Sequence, residues 1–145
     1  LNEDNIDDLN DKRINPIVSF PNSQGPVVFG QRTLQTAASA LDRVNVRRLL
    51  IDLRRSVKQV AQQLIFEPNR ESTLQRFTAL VTPIMKRVQQ NQGIDRFKVV
   101  IDSSTTTQAD IENNTVRGKI FLQPTRTAEF ISLDFVVTNS GVEGL

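Results

Sequence analysis

Apolar residues recur through the middle of the chain at helical intervals. Val46, Leu49, Leu50, Leu53, Val57, Val60, Ala61 and Leu64 advance by 3, 1, 3, 4, 3, 1 and 3, which holds them on one face of a long helix. Ser39 is placed to cap its first turn, with Asp42 three residues on, where the helix dipole favours a carboxylate. Pro68 closes the segment, because the residue before a proline avoids helical geometry. Asn69 then caps a second helix, in which Leu74, Phe77, Val81, Ile84 and Val88 step by 3, 4, 3 and 4. Pro83 lies inside that pattern and is expected to kink or divide the helix, and Gly93 to end it.

Extended runs flank the helices. Pro16–Phe20 and Pro26–Gly30 are separated by the turn-forming Pro21-Asn22-Ser23-Gln24-Gly25 and read as a hairpin or as two strands with a loop. Further on, Phe97–Ile101, Val116–Gln123 and Ile131–Thr138 are predicted strands, with Leu133, Phe135 and Val137 sharing a face. The polar stretch Ser103–Asn114 links the first two, and Pro124 with Thr125–Glu129 leads to the last. Residues 1–13 are polar apart from Leu1, Ile6 and Leu9, a spacing for a short helix that buries little. The expected class is α+β: a mixed sheet of short strands packed against two long helices. Residues 1–13 form a leading segment, 14–138 the domain, and 139–145 a C-terminal arm. A frayed end is the default for that arm. The alternative is that Thr138, Asn139, Ser140, Gly141 and Val142 add a strand to a neighbouring subunit's sheet, where backbone hydrogen bonds supply affinity.

Composition removes most chemistry. The 145 residues suit one domain, and they include no cysteine, histidine, tryptophan or tyrosine. Zinc and iron sites built on Cys or His, thiol catalysis, the Ser-His-Asp arrangement and disulfides are thereby excluded. No metal or cofactor is expected. The chain starts at Leu1 rather than Met, which suggests a piece of a longer chain. It has neither a run of membrane-span length nor a signal-peptide pattern, so no membrane insertion is expected. Carboxylate pairs are the remaining acid–base option. Asp102, Asp110, Glu112, Glu129 and Asp134 are the candidates, but nothing in their spacing demands convergence, and solvated acids are the normal finding in such segments. The six glycines form no phosphate-cradling loop.

Charge is uneven. Glu3, Asp4, Asp7, Asp8 and Asp11 crowd the start, and all eighteen Lys and Arg lie beyond them with only eleven carboxylates, leaving that part net +7. A basic body implies an acidic partner. On the long helix, at 100° per residue, Arg43, Arg47, Arg54 and Lys58 fall at 0°, 40°, 20° and 60°. They form a cationic strip with no carboxylate three or four residues away, whereas Arg48 and Arg55 have Asp52 within ion-pair spacing. Either the strip is solvated, its stems covering apolar surface, or it meets a surface of opposite charge. A basic nucleic-acid-binding module is one alternative, weakened because the phenylalanines on apolar faces are better used in a core than as stacking platforms. A carboxylate hydrolase is a third.

Several stretches carry a resemblance. Ile14-Asn15-Pro16-Ile17-Val18, Gly25 through Leu34, Ser39 through Leu49, Phe66-Glu67-Pro68-Asn69, Phe97-Lys98-Val99-Val100, Pro124-Thr125-Arg126 and Phe135 through Thr138 together resemble, in order, the C-terminal region of contractile tail sheath proteins. These belong to phages with contractile tails and to related bacterial injection particles. The resemblance implies a structural, non-enzymatic subunit that polymerises helically around an inner tail tube and contracts to drive the tube through a target envelope. It implies as partners other sheath subunits, the inner tube protein, and baseplate and tail terminator proteins, with no nucleic acid. The location implied is a virion tail assembled in the host cytoplasm, or else a bacterial particle. Arg43, Arg47, Arg54 and Lys58 become the candidate tube contact, and Thr138–Val142 the candidate exchanged arm.

Overall fold

The computed structural model describes residues 1–68, 71–126 and 129–144. They fall into two units, Leu1–Arg48 and Leu49–Leu145.

In the first unit, the Asn2 side chain accepts from the Asn5 backbone at 3.0 Å and starts helix α1 (Glu3–Asp11). The helix buries none of its residues. It ends where Arg13 turns left-handed at φ 60°, with Ile14 N–H donating to Leu9 C=O at 2.8 Å, a Schellman closure made without glycine. The two extended runs form a hairpin of β1 (Ile17–Ser19) and β2 (Pro26–Val28), antiparallel with Val18 opposite Val27. The Ser23 hydroxyl donates to Gly25 C=O at 2.7 Å inside the connecting turn.

The expected start of the long helix is displaced. Ser39 caps a single 3₁₀ turn, Ala40–Asp42, accepting from Leu41 N–H at 3.1 Å, and helix α2 runs Val44–Gln62. The cause lies in residues 31–33, which pair with 42–44. Thr33 N–H donates to Asp42 C=O at 2.8 Å and Val44 N–H to Gln31 C=O at 2.9 Å. That pairing holds Arg43 extended at φ −106°, ψ 138°, outside helical space.

In the second unit, α2 turns Leu53, Val57 and Ala61 inward, as its periodicity requires. Helix α3 (Glu71–Gln90) passes through Pro83 undivided. Pro83 is exposed, so the carbonyl of Ala79 that loses its donor faces the solvent side. The N-cap expected at Asn69 lies outside the described residues. At the other end the left-handed residue is Gln92, at φ 59°, and Gly93 N–H closes the Schellman pattern on Val88 C=O at 2.9 Å. Gly93 answers a different need, since a Cβ there would lie 2.8 Å from Val88 Cγ1.

The sheet is β3 (Ile94–Val100), β4 (Val116–Pro124), β5 (Ile131–Thr138) and β6 (Gly141–Glu143), ordered 3-4-5-6. Each strand pairs antiparallel with the next. The class is therefore α+β as expected, with two separate antiparallel sheets in place of one mixed sheet. The short links after β4 and β5 favour that outcome, because parallel neighbours need long crossovers. Asp95 makes a bulge opposite the Pro124–Gln123 step. Ile120, Leu122, Leu133 and Phe135 line the buried face, and Phe77 of α3 meets Phe135 with ring centroids 4.9 Å apart. The link Ser103–Asn114 contains a short helix α4 (Gln108–Glu112), begun by a capping box of Thr107 and Asp110. Among the described residues no helix is long and apolar enough to cross a membrane.

Candidate functional site

The acids are structural wherever the geometry describes them. Asp110 accepts from the Thr107 backbone at 3.0 Å, from the Thr107 hydroxyl at 2.7 Å and from Arg117 Nε at 2.9 Å. The Thr107 backbone bond, then the Arg117 guanidinium, then the Thr107 hydroxyl hold its carboxyl down to about 2. The hydroxyl and backbone N–H of Ser104 likewise lower Asp102. A general acid needs the opposite shift. Asp134 lies on the exposed sheet face, 3.7 Å from Lys119 and bonded by the Ser132 hydroxyl. Among the described residues no acid cluster could hold a metal ion.

The four cations of the predicted strip have different fates. Arg43 precedes the helix, so its helical angle does not apply, and its Nε lies 3.4 Å from Asp42 Oδ1. Arg47 is tied down locally: Nε donates to Leu41 C=O at 3.0 Å and Nη2 to Gln35 Oε1 at 2.6 Å. Arg54 is exposed and Lys58 half-buried, and neither forms an ion pair among the described residues. Arg48 and Arg55 also form none, although Asp52 stands at helical pairing distance in sequence. Arg54 and Lys58 are thus the members of the strip left available to a partner.

A second basic surface, which the sequence reading did not identify, lies on the solvent face of the sheet. Register puts Arg96 opposite Gln123, Lys98 opposite Phe121 and Val100 opposite Lys119. Arg117 and Lys119 stand opposite Val136 and Asp134 on the other side. Four cations therefore share one face of two adjacent strands. Arg96 and Lys98 form no ion pair among the described residues, while Arg117 and Lys119 lean on Asp110 and Asp134. The signal in sequence is basic residues two apart, at 96 and 98 and at 117 and 119, alternating with the inward positions Phe97 and Gly118.

Two further features concern the ends of the sheets. Among the described residues the β1–β2 hairpin has two strands, and Ile17, Val28 and Phe29 are exposed on it. The segment expected as an arm folds onto its own chain: Thr138 pairs with Gly141 and Val137 with Val142, which is buried. Asn139 and Ser140 make the turn, Thr138 and Ser140 hydroxyls lying 2.9 Å apart. Leu145 lies outside the described residues.

A family model for the phage tail sheath C-terminal domain matches residues 36–138. The chain belongs to that family. The sheath domain is 34% identical over 130 residues to a tail sheath protein of Vibrio phage KVP40, covering 90% of this chain and 19% of that protein. It is 29% identical over 137 residues to the tail sheath protein of Enterobacteria phage T4, covering 94% of this chain and 21% of that one. Among solved structures, it resembles a chain in a cryo-EM structure of the anti-feeding prophage baseplate, with a TM-score of 0.78 and 28% identity, over 90% of this chain and 38% of that chain. The sheath domain spans about a fifth of the length of these curated relatives.

One residue of the resembling stretches acquires a physical role in this sheath domain. Asn15 Nδ2 donates to Arg32 C=O at 2.9 Å, and Arg32 N–H donates to Asn15 Oδ1 at 2.8 Å. The amide thus stands in for one rung of a strand partner. Gly30 lies so close that a Cβ would sit 2.6 Å from Asn15 Oδ1. A lone Asn before a proline carries no sequence signal of that use.

Proposed function

We propose that the protein containing this domain is a structural, non-enzymatic subunit of a contractile tail sheath. It polymerises helically around an inner tail tube, and contraction drives the tube through the target envelope for genome or effector delivery. Its partners are other sheath subunits, the tube protein, and baseplate and terminator proteins. Its location is a virion tail, or a bacterial injection particle of the same build.

The observation that carries this reading is the incomplete β1–β2 hairpin. An isolated two-stranded hairpin is marginal in water, and this one leaves Ile17, Val28 and Phe29 exposed. Strands from neighbouring copies would complete it with backbone bonds. Thr138, Asn139, Ser140, Gly141 and Val142 are the proposed exchanged arm. The bonds β6 makes to its own β5 are of the kind it would make to a neighbour, so exchange needs little net free energy. Arg43, Arg47, Arg54 and Lys58 are the proposed tube-facing cations, with Arg54 and Lys58 the available grip. Each exposed pair is worth only about 0–1 kcal/mol, so a single subunit holds weakly while many copies hold firmly and release together. Contraction then draws on the free-energy difference between two packings.

The test is electron microscopy of the full-length protein mixed with its tube. Striated sheaths are expected from the unmodified protein. Arg54→Glu with Lys58→Glu should leave free polymers but few on tubes, and removal of residues 139–145 should abolish polymers while the monomer stays folded. Unchanged sheath yield from both variants would overturn the tube and arm assignments, and an unmodified protein that never polymerises would overturn the sheath reading.

A further inference from the structure

The acidic start of the chain and the basic sheet face are complementary in sign and in spacing. In α1, taking Asp4 as 0° and 100° per residue, Asp7, Asp8 and Asp11 fall at about 300°, 40° and 340°. Four carboxylates therefore share one face of a helix that buries nothing. Asp8 is paired with Lys12 at 2.7 Å, and Asp4, Asp7 and Asp11 have no ion pair among the described residues. Like charges at these spacings repel, so α1 presents an anionic face that Lys12 relieves at Asp8 alone among the four.

The sheet face carries the opposite sign, with Arg96 and Lys98 in no ion pair among the described residues and Arg117 and Lys119 partly neutralised by Asp110 and Asp134. Arg96, Lys98, Lys119 and Arg117 follow one another across the β3–β4 pair. Cations two residues apart on a strand are separated by roughly 6.6–6.8 Å, and carboxylates four apart on a helix by roughly 6 Å. The helix can therefore lie along the strands with successive Asp residues near successive cations. Phe121, half-buried between Lys98 and Ser132, offers an apolar floor beneath them.

We infer that the solvent face of the β3–β4 pair, carrying Arg96, Lys98, Arg117 and Lys119, is a docking surface for the acidic helix α1 of a second copy of this chain. The inference rests on the assembly reading above and adds a subunit contact that involves neither strand exchange nor the tube. A heterologous contact of this kind, one patch on a different patch, propagates into an open array. Because both partners are exposed charges, it should be strong in dilute buffer and weak in salt.

The test is a reciprocal charge swap on the 145-residue chain, read by analytical ultracentrifugation across concentration at low salt. The unmodified chain is expected to self-associate and to lose that association at high salt. Lys98→Glu with Lys119→Glu should weaken self-association by about tenfold or more, as should Asp4→Lys with Asp8→Lys. Mixing the two variants should restore a mixed species, since the reversed helix of one now matches the reversed sheet of the other. Association that survives both swaps, a mixture that stays unassociated, or an unmodified chain that remains monomeric would each overturn the inference. Full-length swapped variants that still build striated sheaths would overturn it too, while leaving the sheath reading intact.

Discussion

Gly118 lies in β4 opposite Phe135 of β5, on the buried face where Phe135 meets Phe77 of α3. A Cβ at this position would lie 2.8 Å from Cε1 and 2.9 Å from Cε2 of Phe135, and closer still to Cζ. The ring cannot retreat easily, because it is 1% exposed and its far side meets Phe77, itself fully buried. Gly118→Ala therefore sets two effects against each other. Removing glycine freedom from the unfolded chain would by itself stabilise by about 0.4–1 kcal/mol. Forcing a methyl into a packed core costs about 1–3 kcal/mol. The second should win, for a net loss of about 1–2 kcal/mol. Urea unfolding followed by far-UV circular dichroism suits a chain with no tryptophan or tyrosine. Phe135→Leu, which clears space, should make the added methyl cheaper, so the double variant should lose less than the two singles together by about 1 kcal/mol. A neutral or stabilising Gly118→Ala would refute the proposed reason for glycine here.

Two other outcomes follow from the local geometry. The Asp110 carboxyl is held at about 2 in the fold, below its ordinary value of 3.8, so its contribution to stability is complete above the ordinary value and lost as pH falls toward 2. Asp110→Asn should therefore lower the melting temperature near neutral pH, with the gap to the unmodified chain closing in acid; parallel melting curves down to about pH 2 would count against this. Asn15→Asp keeps an acceptor for Arg32 N–H but removes the donor to Arg32 C=O. A loss of about 1–2 kcal/mol in chemical unfolding is expected, and a change near zero would show that water replaces the amide.

Periodicity placed the elements well where burial on one face is what decides structure. The strands Ile131–Thr138 and Val116–Pro124 stand almost where alternation put them, and the apolar stripe of α2 faces inward, whereas in α3 the buried line is Thr73, Phe77, Val81 and Met85, with Leu74, Ile84 and Val88 half-buried beside it. Helix ends were less legible. Arg13, Gln92 and Asn114 all take left-handed φ in Schellman closures, although none is glycine. The closing hydrogen bonds and the packing of the next residue outweigh a modest backbone cost. Helix α4 did carry a signal, the Thr107–Asp110 pair, within a stretch that otherwise reads as loop. The cationic strip was drawn on an ideal helix, and the pairing of residues 31–33 with 42–44 removed Arg43 from it.

From sequence alone came the α+β class, the exclusion of Cys- and His-based chemistry, the uneven charge and the resemblance to contractile sheath proteins. These depend on composition and on patterns within single elements, which local physics determines. Which cations are bound and which are available, that the C-terminal segment returns to its own sheet, and that basic residues from separate strands share one face were decided only by tertiary structure. Each depends on strand register, and register joins residues that are distant along the chain.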